Sequence, residues 1–226
     1  MQKAKKLVLF GDSAFAEIAY EYFSHDSLYE VVAFTVSKEF LKKDTLFGLP
    51  VIAFEEIESM YPPSLHEMHI AIVYNNINRI RMKYYEEARQ KGYKLANYIS
   101  SRSFVWRNVQ IGDNCFVFED NTIQPFVKIG NNNIFWSGNH IGHHSVIGSH
   151  NFISSHVVIS GFCTIGNANF IGVNSTAGNN LSIGNDCFIG SAVHIIKPVK
   201  DGTLLRGNPN YADEKSTYER FGIKRI

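Results

Sequence analysis

From about residue 105 a large aliphatic or aromatic residue returns every six positions, in the series Ile111, Val117, Ile123, Ile129, Phe135, Ile141, Ile147, Ile153, Ile159, Ile165, Ile171, Ala177, Ile183, Ile189 and Ile195. A longer period lies inside it: Ile111, Ile129, Ile147, Ile165 and Ile183 are 18 residues apart, and a glycine follows each one. Eighteen residues therefore make one structural turn, and six make one side of it. The pattern predicts a parallel β-helix of triangular section, in which each hexad is a short strand and each coil stacks on the last at about 4.8 Å. Five coils are expected between residues 109 and 198. The isoleucines point inward, and the glycines and asparagines that follow them are expected at corners that demand positive φ. All three cysteines, Cys115, Cys163 and Cys187, stand four residues after a core isoleucine and read as buried filling.

The first hundred residues have a different grammar, with short β-type runs alternating with helical stretches. KKLVLF (5–10), EVVAFTV (30–36) and HIAIVY (69–74) read as strands; FAEIAYEYFS (15–24) and a stretch from about Asn78 to Gly92 read as helices. This order predicts a small Rossmann-like α/β domain with a parallel sheet, whose ligands sit at the carboxyl ends of its strands. Those ends are Gly11-Asp12-Ser13, Thr35-Val36 and Asn75-Asn76. Three segments result: a Rossmann-like domain over 1–104, the β-helix over 105–198, and a tail over 199–226 in which residues 211–220 could form a short helix.

Composition narrows the function. In 226 residues, 22 basic residues face 21 acidic ones, a net charge of +1, too balanced for the broad basic field of a nonspecific nucleic-acid binder. No apolar run approaches the roughly 18 residues that span a bilayer, and the start MQKAKKLVLFGDS carries no signal-cleavage pattern. A cytoplasmic protein with no nucleic-acid or membrane partner is expected. An odd number of cysteines without a CxxC pair argues against a disulfide framework and against a cysteine-rich zinc site.

The hexads from IGDNCFVFEDNTIQPFVKIG to IGNDCFIGSAVHIIKP resemble those of the hexapeptide-repeat acyltransferases, which implies that the helix is left-handed. With GDS (11–13), GLPV (48–51), NNINR (75–79) and GNP (207–209) in that order, the chain resembles bacterial sugar acetyltransferases of the sialic-acid O-acetyltransferase type. That group includes enzymes that N-acetylate nucleotide-linked amino-dideoxy sugars. The resemblance implies a homotrimer with active sites at subunit clefts, acetyl-CoA lying along the helix, and an N-terminal domain that grips the nucleotide sugar. Gly11, Asp12, Ser13, Thr35, Asn75, Asn76 and Arg79 are the nucleotide-sugar candidates. The chain departs from the usual pattern in having Phe15 near the customary histidine and Thr35 where an acidic residue commonly ends the second strand. No dinucleotide fingerprint is present, which disfavours NAD.

Acetyl transfer from a thioester needs a base to take a proton from the incoming amine or hydroxyl, and a donor to stabilise the oxyanion. Five histidines crowd one stretch: His140, His143, His144, His150 and His156. By resemblance the catalytic histidine lies four residues before the isoleucine of an Ile-Gly pair, which is His143 before Ile147. One coil further along the same corner is Gly161, whose N–H the resemblance assigns to the thioester carbonyl. His144, counted with the catalytic residues, stands where the family often has Glu. The resemblance points to Val173, Asn179 and Ser191 for CoA, mostly through main-chain groups, with Lys197 near the phosphate end. Trp136 and Asn139 are candidates for stacking on or hydrogen-bonding the sugar, with packing between subunits as their alternative.

The expected function is acetyl-CoA-dependent N-acetylation of a UDP- or dTDP-linked 3- or 4-amino sugar for surface glycan or lipopolysaccharide biosynthesis. No metal is expected. The alternatives are O-acetylation of a sugar, a trimeric metalloenzyme of the γ-type carbonic anhydrase kind, and a purely structural or binding β-helix. His144, His150 and His156, spaced by six, fall on successive sides of one prism and cannot converge on a metal within one subunit.

Overall fold

The computed structural model describes residues 3–207 and 216–221. The N-terminal domain runs β1 (Lys5–Phe10), α1 (Ala14–His25), β2 (Tyr29–Val36), β3 (Thr45–Leu46), β4 (Leu49–Ala53), α2 (Ile57–Met60), β5 (His66–Ile70), α3 (Arg79–Gln90) and β6 (Lys94–Leu95). Its sheet has the order β3-β4-β2-β1-β5-β6, parallel except for the β3–β4 hairpin at one edge. The third predicted strand is displaced, because the chain leaves the sheet after Ile70 and residues 71–74 begin the connection to α3. The hairpin is a feature the apolar pattern did not predict; it turns at Phe47-Gly48, both of positive φ. The chain builds β2 and β4 on one side of β1 and β5 on the other, so the topological switch point lies between β1 and β5, where open α/β sheets bind ligands.

The remainder is a left-handed parallel β-helix. Its first face has seven strands, from Tyr98–Ile99 to Leu204–Leu205; the second has six, from Phe104–Val105 to His194–Ile195; the third has five, from Gln110–Ile111 to Ser182–Ile183. The coil thus begins before residue 105 and continues beyond 198, since Tyr98 and Leu204 keep the parallel register where the sequence period has faded. Every strand pairs with the one 18 residues away, as Ile129 does with Ile147 and Ile147 with Ile165. The inward column forms one continuous core from Cys115 to Ile195. Burying each isoleucine contributes roughly 1.5–3 kcal/mol before chain entropy is counted. The three cysteines are free and buried, and burial pushes the Cys115 thiol up to about 12.

The corners correct one expectation. Positive φ falls every six residues on positions such as Asn114, Phe126, Asn132, His144, His150, His156 and Phe162, two residues after the expected glycines. Those glycines serve close approach instead. A Cβ at Gly142 would lie 2.5 Å from the Gly161 nitrogen, and one at Gly148 would lie 2.6 Å from the Gly166 oxygen. Inside the corner that joins the third face to the first, a ladder of buried asparagines replaces apolar filling. Asn133 Oδ1 accepts the Asn151 N–H at 2.9 Å, Asn151 Oδ1 accepts the Asn169 N–H at 2.8 Å, and Asn169 Oδ1 accepts the Cys187 N–H at 2.7 Å. Each carboxamide also donates across to a glycine carbonyl, as Asn151 Nδ2 does to Gly166 O at 3.0 Å.

The two domains share a core, in which Phe15, Phe23 and Tyr98 pack with Phe116, Phe118 and Ile134 on the first face of the helix. Polar contacts fix the register. The fully buried Arg81 donates to the carbonyls of His150 and Asn151, Asn114 Oδ1 accepts the Ile70 N–H, and Tyr85 OH donates to Asp113. His69 is buried in the same seam, and its Nδ1 lies 2.8 Å from Ala96 O. Among the described residues no helix is long and apolar enough to cross a membrane. The predicted tail helix is seen as α4 (Thr217–Phe221); residues 211–215 lie outside the described residues.

Two stability predictions follow from this packing. Asn151→Ala leaves the Asn169 N–H and the Gly166 carbonyl without partners, and denaturant unfolding is expected to show a loss of about 2–4 kcal/mol. Burial holds the His69 imidazole down at about 4 from its usual 6.5, so the unfolded chain binds a proton there before the folded chain does. Stability from this group is present above pH 6.5 and is lost as pH falls toward 4, by up to about 3 kcal/mol. Unfolding midpoints measured across that window should fall accordingly, and replacing His69 by Gln should flatten the dependence.

Candidate active site

The vertex between the second and third faces of the helix carries an unusual column: Pro125, His143, Gly161, Asn179 and Lys197, one per coil. At the equivalent position of the next vertex along the coil, a side chain one coil ahead caps each backbone N–H; Ser149 donates to Asn167 and Asn167 to Asn185. Gly161 has no side chain to cap His143, so the His143 N–H turns back to Gln124 Oε1 at 2.9 Å. The space above Gly161 is filled by the His143 ring itself: a Cβ on Gly161 would meet Cε1 at 2.9 Å and Nε2 at 3.0 Å. The expected juxtaposition of imidazole and glycine is therefore present, on an exposed vertex.

His143 Nε2 makes no hydrogen bond among the described residues, whereas Nδ1 lies 3.1 Å from His144 Nδ1. His144 takes the left-handed corner conformation with φ of 60° and stacks between Phe126 and Phe162, at centroid distances of 4.6 and 4.9 Å. Phe162 also meets the His143 ring edge-on at 5.0 Å. Phe126 and Phe162 are 55% and 52% exposed, and sequence reasoning passed over both. Their 18-residue spacing through His144 was the signal available.

One expectation is corrected. The Gly161 N–H is not open toward the slot, because it donates to Asn179 Oδ1 at 2.9 Å, the same cap the neighbouring vertex uses. Asn179 is thus held through its side chain as well as its main chain. Val173 and Ser191, both exposed, lie on the vertex between the first and second faces, so the CoA candidates flank the second face from its two edges. Lys197 is exposed.

Trp136 and Asn139 do not face His143. Trp136 packs into the domain interface, 4.4 Å from Phe118 and 5.8 Å from Phe15 by ring centroids. Asn139 is buried, with Oδ1 accepting the Val157 N–H and Nδ2 donating to Trp136 O. The corner ladder consumes the carboxamide that the sequence reading offered to a sugar. His140 lies on the second face, and His150 and His156 occupy two further vertices. Burial, with Arg81 and Arg79 nearby, holds His150 down at about 4.

The N-terminal candidates gather at the switch point. Gly11 follows β1 with φ of 125°, and a Cβ there would lie 2.8 Å from Ala71 O, so only glycine fits. Asp12 faces Lys43 at 3.7 Å, Ser13 caps α1, and Asn75 and Asn76 are exposed. Thr35 is buried and donates its hydroxyl to Ile52 O, and Arg79 is paired with Asp186 on the helix. These two serve the fold as the structure stands.

Residues 108–143 and 126–161 match the family model of bacterial transferase hexapeptide, six repeats. Residues 108–161 are hexapeptide repeats of the bacterial transferase kind. The matched stretch spans the coils from which His143 and Gly161 project. None of the curated proteins matches the chain. Among solved structures, the chain is similar to the acetyltransferase domain of PglB from Neisseria gonorrhoeae FA1090, with a TM-score of 0.80 and 22% identity over 91% of this chain and 98% of that one. The same domain in complex with acetyl coenzyme A aligns with a TM-score of 0.80 and 21% identity, over 91% and 97% of the two chains. A histidine-to-asparagine mutant of perosamine N-acetyltransferase from Caulobacter crescentus, in complex with CoA and GDP-perosamine, aligns with a TM-score of 0.80 and 21% identity over 92% and 96%.

The contact between Gly161 and the imidazole gives a direct test. In Gly161→Ala the added methyl group must push the exposed His143 ring aside. Stability is expected to change by less than about 1 kcal/mol, while the His143 imidazole resonances in an NMR spectrum shift clearly.

Proposed function

We propose that this protein transfers an acetyl group from acetyl-CoA to the amine of a nucleotide-linked amino sugar, with His143 as general base. The observation that carries the reading is the His143 imidazole seated on Gly161 at an exposed vertex, with Nε2 unengaged. The similarity to structures described as holding CoA, acetyl coenzyme A and GDP-perosamine supports the choice of reaction. The glycine pair Gly142 and Gly161, where any side chain would collide, suits a narrow thioester at this vertex.

In this mechanism His143 Nε2 takes a proton from the acceptor amine as its nitrogen bonds to the acetyl carbon. The carbon–sulfur bond then breaks, and His143 returns the proton to the departing sulfur, giving the amide and free CoA thiol. The Gly161 N–H polarises the thioester carbonyl once the exposed Asn179 carboxamide turns away from it. Base and donor are each worth roughly 10²-fold or more. No acyl-enzyme is needed.

Assembly belongs to the same proposal. The N-terminal domain packs on the first face, whereas His143 projects from the vertex between the other two. A nucleotide sugar held at Gly11–Ser13 and Asn75–Asn76 therefore lies on the far side of the prism from the base of its own chain. A neighbouring copy brings the two together, and a homotrimer is the closed assembly that does so for every site. The reaction draws on acetyl-CoA and nucleotide sugars, which places it in the cytoplasm, supplying surface glycan precursors.

A panel of UDP-, dTDP- and GDP-linked amino sugars, with hydroxyl sugars as controls, is assayed for release of CoA thiol. We expect an amino sugar to turn over, and His143→Ala to melt like the parent while kcat falls at least about a hundredfold. Retained activity in that variant removes the base assignment.

A further inference from the structure

The contact between the two histidines has a chemical consequence. At 3.1 Å the two Nδ1 atoms share one hydrogen, so one ring donates and the other accepts. His144 cannot rotate away freely, because it is clamped in a left-handed corner between the parallel faces of Phe126 and Phe162. The edge of the clamped ring is thereby aimed at its neighbour. His143 has no carboxylate partner: its backbone N–H goes to Gln124, and its Nδ1 goes to His144 alone.

We propose that His144 is the positioning residue for His143, accepting the His143 Nδ1–H at its own Nδ1 and so fixing the lone pair of His143 on Nε2. The inference rests on His143 being the base, and it adds the identity of the group that orients it. A neutral imidazole does here what a carboxylate does in a triad: it selects the tautomer and strengthens its hydrogen bond as the base becomes cationic. His144 stays unprotonated throughout, since two cationic rings at this distance oppose each other. When Nε2 gains the acceptor's proton, the charge on His143 is met by the Nδ1 lone pair of His144. When that proton leaves for sulfur, the pair returns to its starting state. The phenylalanines act through His144 by fixing its plane.

The test separates hydrogen bonding from stacking. His144→Phe keeps an aromatic ring in the Phe126–Phe162 stack and removes the acceptor; His144→Glu supplies an acceptor of another kind. With the amino sugar from the panel that turns over fastest, His144→Phe is expected to melt with the parent and lose roughly 10- to 100-fold in kcat, with KM for acetyl-CoA changed little. His144→Glu is expected to recover kcat to within about threefold of the parent. Independently of activity, long-range proton–nitrogen NMR of the resting parent protein should show His143 protonated at Nδ1 and bare at Nε2. In His144→Phe that preference should be lost. A parent His143 protonated at Nε2, or a His144→Phe variant with undiminished kcat, overturns the inference. If His143→Ala retains activity, the base reading fails, and the tautomer measurement still decides whether His144 orients its neighbour.

Discussion

Everything in this molecule depends on a chain that must close three corners in each coil of 18 residues while the next coil passes within van der Waals contact. The stacking leaves no room for a Cβ at Gly142 or Gly148, and it obliges one residue per corner to adopt positive φ. That obligation costs roughly 1–2 kcal/mol for a residue with a Cβ. It is met at His144, Phe126 and Phe162 by rings that stack along the prism edge, so that the strain of each corner is offset by the contact with the next. The same spacing that places isoleucine on isoleucine inside places imidazole on glycine outside. Core and candidate chemistry are two readings of one period.

The architecture was legible because the inward column is nearly pure: a single small residue, Ala177, interrupts a run of large ones. Where purity ended, so did legibility. Tyr98 and Leu204 join the first face through backbone register, which no side-chain type announces. The role of the glycines was misread because close approach and positive φ both favour glycine, and sequence alone gives no means of separating them. Asn114, Asn132 and His144 take the strained φ instead.

At the site, coil arithmetic is enough to bring His143 and Gly161 together, since it needs only the period. It fails for Trp136 and Asn139, because nearness in sequence within a coil is not nearness in space: a few residues earlier the chain is turning a different vertex. Buried polar ladders are the hardest feature to anticipate. Asn139 and Asn179 both read as available carboxamides, yet each caps backbone on an adjacent coil. Phe126 and Phe162 were overlooked for the opposite reason, as exposed aromatics outside the inward column. Arg81 and Thr35 sit in the seam and the sheet, where packing spends groups that look functional when written in a line.

The 18-residue repeat also sets how this chain can change in length. Removing a whole coil would shorten the prism and leave every remaining side chain on its face, with the isoleucine column intact. Removing a single hexad would keep the interior aliphatic, yet it would rotate everything downstream by a third of a turn, carrying Asn179 and Lys197 away from the vertex of His143. The hydrophobic interior tolerates steps of six. The edge that bears the imidazole tolerates only steps of eighteen, so variation in such a chain is quantised by its chemistry and not by its core.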